Sequence, residues 1–181
     1  MDVTRLPLSG LTLIKPSVFR DARGFFLESY SQPRYAELGI DCVFVQDNHS
    51  HSVGGTLRGL HYQSRPGQAK LVRVASGRIF DVAVDIRPSS KTFGKWHAVT
   101  LDAEEHAQLF VPVGFAHGFC VISESADVLY KVSTPYQPDT ECTLAWKDPD
   151  LGIDWPVDTP LVSRRDEQGE AFSEFRRRAE A

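Results

Sequence analysis

About ten short runs of β-forming residues, broken by Gly, Pro, Ser and Asp, follow one another from Leu11 to Trp146 with no long helical pattern among them. That rhythm constrains the fold more than any single motif. The cleanest run is Arg78–Ile86, where Phe80, Val82, Val84 and Ile86 alternate with Asp81, Ala83 and Asp85. It reads as a half-buried strand with one polar face. Further strand patterns lie at 11–14, 25–30, 43–47, 56–63, 70–75, 96–101, 108–112, 117–122, 127–134 and 143–146. Helix signals are sparse. Pro33 to Leu38 has Pro in its first turn and Gly39 just past its end, and a second helix is predicted over about 168–179, with its arginines in solvent. The expectation is an all-β antiparallel jelly roll, a sandwich or barrel with a few short helices, formed by residues 1–181 as a single domain.

Composition narrows the partners. The 181 residues are 41% hydrophobic and 24% charged with a net charge of −4, ordinary for a globular domain and unlike a general nucleic-acid or membrane-surface binder. The first residues do not read as a signal peptide, and no apolar run reaches spanning length, so a cytoplasmic protein is expected. Three widely spaced cysteines, Cys42, Cys120 and Cys142, suggest neither a disulfide framework nor a zinc clip.

The chemistry-bearing stretch is Gly54-Gly55-Thr56-Leu57-Arg58-Gly59-Leu60-His61-Tyr62-Gln63. Its glycines suit a turn followed by a strand with a bulge at Gly59, and such a bulge would shift the alternation that puts Arg58 and His61 on opposite faces. A spacing of Gly55-x5-His61 and a run Pro112-Val113-Gly114-Phe115-Ala116-His117 match the two histidine motifs of the cupins. Cupins commonly hold a metal. Here Tyr62 and Gln63 follow His61 where another histidine ligand would be expected, so two histidines lack a third ligand and no metal is assigned. Protic groups must then serve. Lys70, Tyr130 and Asp166 are the candidates to join His61 and His117, since a carboxylate orients and strengthens a histidine base, a lysine stabilises an enolate oxygen and a phenol donates a proton. Spacing alone does not bring these residues together.

Seven blocks in order along the chain supply that link: Asp21–Tyr30, Val45–Ser50, Leu57–Gln63, Ala69–Arg73, Phe80–Arg87, Pro112–Phe119 and Leu129–Lys131. Together they closely resemble the dTDP-4-dehydrorhamnose 3,5-epimerase family. The resemblance implies a metal-free cupin homodimer, without cofactor, that inverts carbons 3 and 5 of a dTDP-4-keto-6-deoxy sugar nucleotide. It implies His61 as base, Asp166 as its orienting carboxylate, Tyr130 as proton donor, and Lys70 and His117 as further catalytic residues. It places Arg23, Glu28, Gln46, Asp47, Asn48, Arg58, Glu141 and Arg165 on substrate contacts and Phe19, Phe26 and Tyr136 on aromatic or pocket-lining positions. Arg165 stands where the family commonly has lysine, and His51 where arginine often follows Asn-His-Ser. A carbon-3-only epimerase would share every motif, while a metal-dependent cupin or a non-catalytic sugar-binding cupin would share the fold.

Overall fold

A computed structural model describes residues 1–180. Strands β1 (Asp2–Arg5), β2 (Thr12–Lys15), β3 (Val18–Asp21) and β4 (Gly24–Leu27) precede a short helix, α1 (Gln32–Glu37). Then come β5 (Gln46–Val53), β6 (Leu57–Gln63), β7 (Lys70–Ser76), β8 (Arg78–Asp85), β9 (Trp96–Asp102), β10 (Gln108–Val111), β11 (Phe115–Val121), β12 (Ser125–Val132) and β13 (Glu141–Thr143), and finally α2 (Arg164–Glu167) and α3 (Phe172–Ala179). A six-stranded sheet in the order β1-β2-β10-β7-β12-β5 packs on a five-stranded sheet in the order β13-β6-β11-β8-β9, and β3 and β4 form a separate hairpin. All strand pairings are antiparallel. This is the cupin-type jelly roll expected from the rhythm of short strands.

The main core lies between the sheets. Val72, Val74, Leu109 and Val111 from one meet Ile79, Ala83, Phe115, Phe119 and Val121 from the other. A second cluster sits outside the five-stranded sheet, where Leu60, Tyr62, Val82 and Val84 are covered by Phe172 and Phe175 of α3. Helix α1 covers the outer face of the six-stranded sheet with Tyr35, against Ile14, Leu71 and Phe110. Burial on this scale, at roughly 25 cal/mol per Å² of apolar surface, is the main force holding the layers together.

Four expectations are corrected. β8 is buried on both faces, because α3 covers Val82 and Val84 while Asp81 and Ala83 point between the sheets; its polar face is an interior one. β5 begins at Gln46 and runs on through a polar stretch to Val53, since pairing with β12 satisfies its backbone whatever its side chains. β13 pairs with β6 at 141–143, earlier than the predicted 143–146. The C-terminal helix begins only at Phe172, after a separate turn of helix, α2, that was not predicted; between them Gly169 backs against Leu144 so tightly that a Cβ would lie 2.6 Å from the Leu144 carbonyl carbon.

Candidate active site

The cleft opens between the β5 edge of one sheet and β6 of the other. Along β5 the side chains of Gln46, Asn48, Ser50 and Ser52 point inward, as the period of a strand requires. On β6 the pairing with β11 jumps: His61 faces His117, yet Arg58 already faces Phe119. Three residues of β6 are thus spanned by two of β11, the bulge foreseen at Gly59. Its cause is close backbone approach. Gly59 has φ 141°, and a Cβ there would lie 2.5 Å from the Cα of Gly118. The extra residue turns both Arg58 and His61 into the cleft, where strict alternation would have sent one of them outward.

Asp166 reaches His61 across a long sequence separation by strapping. Leu161 exchanges backbone hydrogen bonds with the β5–β6 turn, donating to Gly55 O at 2.8 Å and accepting from Leu57 N at 2.9 Å. Nine residues on, Glu170 N donates to Thr143 O at 2.8 Å. Between these anchors α2 is capped by Ser163, whose Oγ accepts from Asp166 N at 3.1 Å. The Asp166 carboxylate, 4% exposed, then meets His61 Nε2 at 2.5 Å. Burial pushes the Asp166 carboxyl up, but the hydrogen bond and charge of His61, with Ser163 and the Gly59 N–H, outweigh it and hold the group below the usual carboxylate range.

A second pair stands opposite. His117 Nε2 lies 2.8 Å from Asp81 Oδ1, with the histidine side chain 8% exposed and the aspartate fully buried. Asp81 Oδ2 has no hydrogen-bond partner among the described residues. Asp81 is a site residue that the sequence reading missed, although its place on the polar face of β8 was the available signal.

Lys70, Tyr130 and Glu141 complete the wall. Lys70 Nζ is buried and approaches His61 O at 3.4 Å. Desolvation lowers its pKa to about 8, partly opposed by the charges of Glu141 and Asp81. Burial, aided by the charge of Glu141, raises the Tyr130 phenol, so it keeps its proton at neutral pH. One cavity of 190 Å³ is lined by Ser50, Arg58, His61, Lys70, His117 and Tyr130 over an apolar floor of Val72, Phe119 and Val128. An adjoining cavity of 300 Å³ shares His61, Lys70, Tyr130 and Glu141 and adds Gln46, Asn48, Gln68 and Tyr136. Glu141 is held by Arg165 at 2.5 Å, and Arg165 also reaches Thr143 Oγ1 at 3.2 Å. Burial raises the Glu141 carboxyl, but Arg165 and Tyr136 bring it below its ordinary value. Among the described residues no cluster of three or more His, Cys, Asp and Glu could hold a metal ion.

Not every expected substrate contact lies in this cleft. Asp47 is on the opposite face of β5, where Lys131 binds it at 2.8 Å, because it alternates with Gln46 and Asn48. The β3–β4 hairpin carries Phe19, Arg23 and Phe26 away from the cavity of its own chain, with Phe19 65% and Phe26 69% exposed. Arg23 pairs with Asp21 at 2.6 Å, and Glu28 with Arg34 at 3.0 Å.

A cupin jelly roll whose cleft gathers two histidine–carboxylate pairs, a lysine of lowered pKa and a protonated phenol defines a class of enzyme built for proton transfer at carbon. The family model for dTDP-4-dehydrorhamnose 3,5-epimerase matches residues 5–174, and the chain belongs to that family of isomerases. It is 52% identical over 176 residues to the dTDP-4-dehydrorhamnose 3,5-epimerase of Pseudomonas aeruginosa, covering 96% of this chain and 97% of that one. The crystal structure of the epimerase from Legionella pneumophila in complex with dTDP-4-keto-L-rhamnose superposes with a TM-score of 0.93 at 46% identity, over 95% of this chain and 93% of that one. A dTDP-4-dehydrorhamnose 3-epimerase of Streptomyces niveus is 40% identical over 178 residues, 97% of this chain and 86% of its own length.

Proposed function

We propose that the cleft binds a dTDP-4-keto-6-deoxyhexose and inverts carbons 3 and 5, yielding dTDP-4-dehydro-L-rhamnose for the pathway to dTDP-L-rhamnose. The observation that carries this reading is the placement of two kinds of proton-transfer group, His61 backed by Asp166 and the protonated Tyr130, on the walls of one cavity. A 4-keto group acidifies the protons on its neighbouring carbons. His61 accepts one, with Asp166 fixing its tautomer and stabilising the imidazolium. The Lys70 ammonium and His117 face the developing enolate oxygen, where a charged donor in a dry site is worth far more than in water. Tyr130 returns a proton to the opposite face, and the same groups serve carbon 5 in turn.

Arg58, with no carboxylate partner among the described residues and tethered by its Nε to Ser52 Oγ at 3.0 Å, meets the diphosphate with its remaining donors. Tyr136, 53% exposed at the rim, offers a face to the thymine. Gln46, Asn48 and Glu141 provide polar contacts along the cleft.

The chain acts as one domain and pairs as a homodimer. Phe19 and Phe26, paired across the β3–β4 hairpin and both largely exposed, form an apolar surface of the kind that marks a protein contact. In the dimer the hairpin lies over the partner, which brings Phe19, Arg23, Phe26 and Glu28 within reach of the partner's ligand. Among the described residues no helix is long and apolar enough to cross a membrane. The test is incubation with dTDP-4-keto-6-deoxyglucose in deuterated water, followed by NMR. Label and inversion at both carbons are expected; inversion at carbon 3 alone would move the chain to the single-epimerase branch. A monomeric mass at micromolar concentration with full activity would overturn the dimer.

A further inference from the structure

The four inward side chains of β5 differ in one respect. Gln46 donates to Asn48 Oδ1 at 2.8 Å, and Ser52 accepts from Arg58 at 3.0 Å. Ser50 Oγ is buried and has no partner among the described residues. Its cross-strand neighbour is Val128, and Val72 and Phe119 line the same cavity, so the protein around it is largely hydrocarbon. A buried unpaired hydroxyl lowers stability, and such a group in a native fold calls for an explanation. Here Ser50 lines the cavity that also holds His61, Lys70, His117 and Tyr130, with its Oγ turned out of reach of solvent. It is absent from the lining of the adjoining cavity, which carries the rim residues Gln46, Gln68 and Tyr136. Ser50 therefore stands on the His117 side of the shared wall of His61, Lys70 and Tyr130, away from the rim.

We propose that Ser50 is a substrate-specificity residue whose Oγ, swung into the cavity about the Cα–Cβ bond, hydrogen-bonds a ring hydroxyl of the hexose, on the wall that faces away from the rim carrying Tyr136. This inference rests on the sugar-nucleotide reading above. A hydroxyl that both donates and accepts suits a sugar hydroxyl, which does the same. The apolar floor beside it suits the deoxy carbon, and the hydroxyl, once paired with the sugar, fixes the rotation of the ring relative to His61 and Tyr130. The ligand supplies the partner that the fold withholds.

The experiment is calorimetric titration of wild type and Ser50→Ala with dTDP and with dTDP-glucose, a hexose nucleotide lacking the 4-keto group. For the variant, the Kd of dTDP-glucose is expected to rise about tenfold, the loss of one hydrogen bond made in a dry site. The Kd of dTDP should stay at the wild-type value. The melting temperature of the ligand-free variant should be equal or higher, because an unpaired buried hydroxyl has been removed. Unchanged dTDP-glucose affinity would overturn the proposal, and equal weakening of both ligands would overturn it by assigning the hydroxyl to the diphosphate. Failure of the wild type to bind either ligand would instead refute the sugar-nucleotide reading and this inference with it.

Discussion

The two histidine–carboxylate pairs of the cleft face each other across paired positions of β6 and β11, yet they are built in different ways. His61 is 25% exposed and takes its carboxylate from a short helix 105 residues along the chain. His117 is 8% exposed and takes its carboxylate from the adjacent strand, 36 residues back, in the dry space between the sheets. An accessible imidazole can take a proton from a ligand and pass it on. A sealed one can hold a position and a hydrogen bond. In the proposed mechanism the difference in burial thus separates a base from a stabilising donor, although the residue types are the same.

The sharpest break of that comparison is mutation of the exposed pair. His61→Asn should lower kcat by about a thousandfold or more, and Asp166→Asn by about a hundredfold, with dTDP affinity retained, since general acid–base catalysis of this kind contributes roughly 10²–10⁴. Steady-state kinetics with calorimetry checks both. Turnover near wild type in either variant would remove the pair from the mechanism. The Asp166 carboxyl is held below its ordinary value, so its contribution to stability is complete above the unfolded pKa and fades as pH falls through the lower folded one. Asp166→Asn should flatten the acid limb of the stability curve.

Next in size is Lys70, which belongs to neither pair but lies between their roles. Lys70→Met should reduce kcat about a hundredfold while raising the melting temperature. The sign follows from its pKa, lowered from 10.5 to about 8. Between those values the unfolded chain binds the proton and the folded one does not, so stability rises with pH through that window. At neutral pH the buried charge costs up to roughly 3 kcal/mol, which methionine would not incur. The wild-type kcat/KM should decline above about pH 8 as the ammonium is lost. An unchanged alkaline limb in Lys70→Met would assign that limb elsewhere.

The smallest effect is expected at the sealed pair. Asp81→Asn should lower kcat only about tenfold, because an amide can still accept a hydrogen bond from His117. A loss equal to that of Asp166→Asn would erase the distinction between the two pairs.

The same contrast explains what the sequence made legible. Apolar alternation and turn residues revealed the jelly roll, since β8, β10 and β11 bury hydrocarbon and carry its signature. β5 was read short because a strand that lines a polar cleft with Gln46, Asn48, Ser50 and Ser52 has no apolar face to show. The Gly59 bulge could be foreseen from glycine within a strand, and it is what brings Arg58 and His61 to one side. Asp166 was a candidate from its residue type, but its pairing with His61 came only through family resemblance: its approach depends on backbone bonds at Leu161 and Glu170 that no local pattern encodes. Asp81 was overlooked because an aspartate alternating with valines reads as a solvated face until the other sheet is seen above it. In the proposed homodimer the reach of Phe19, Arg23, Phe26 and Glu28 would belong to an assembly of chains, beyond the pattern of one strand.

The central claim is that protons leave and arrive on opposite faces, one through His61 and the other through Tyr130. Tyr130→Phe removes the phenolic hydroxyl and leaves the ring, His61, Asp166 and Lys70 in place. Followed by NMR in deuterated water, this variant should still exchange substrate protons for deuterium, with configuration retained and little epimer formed. Inversion at nearly the wild-type rate would contradict the account.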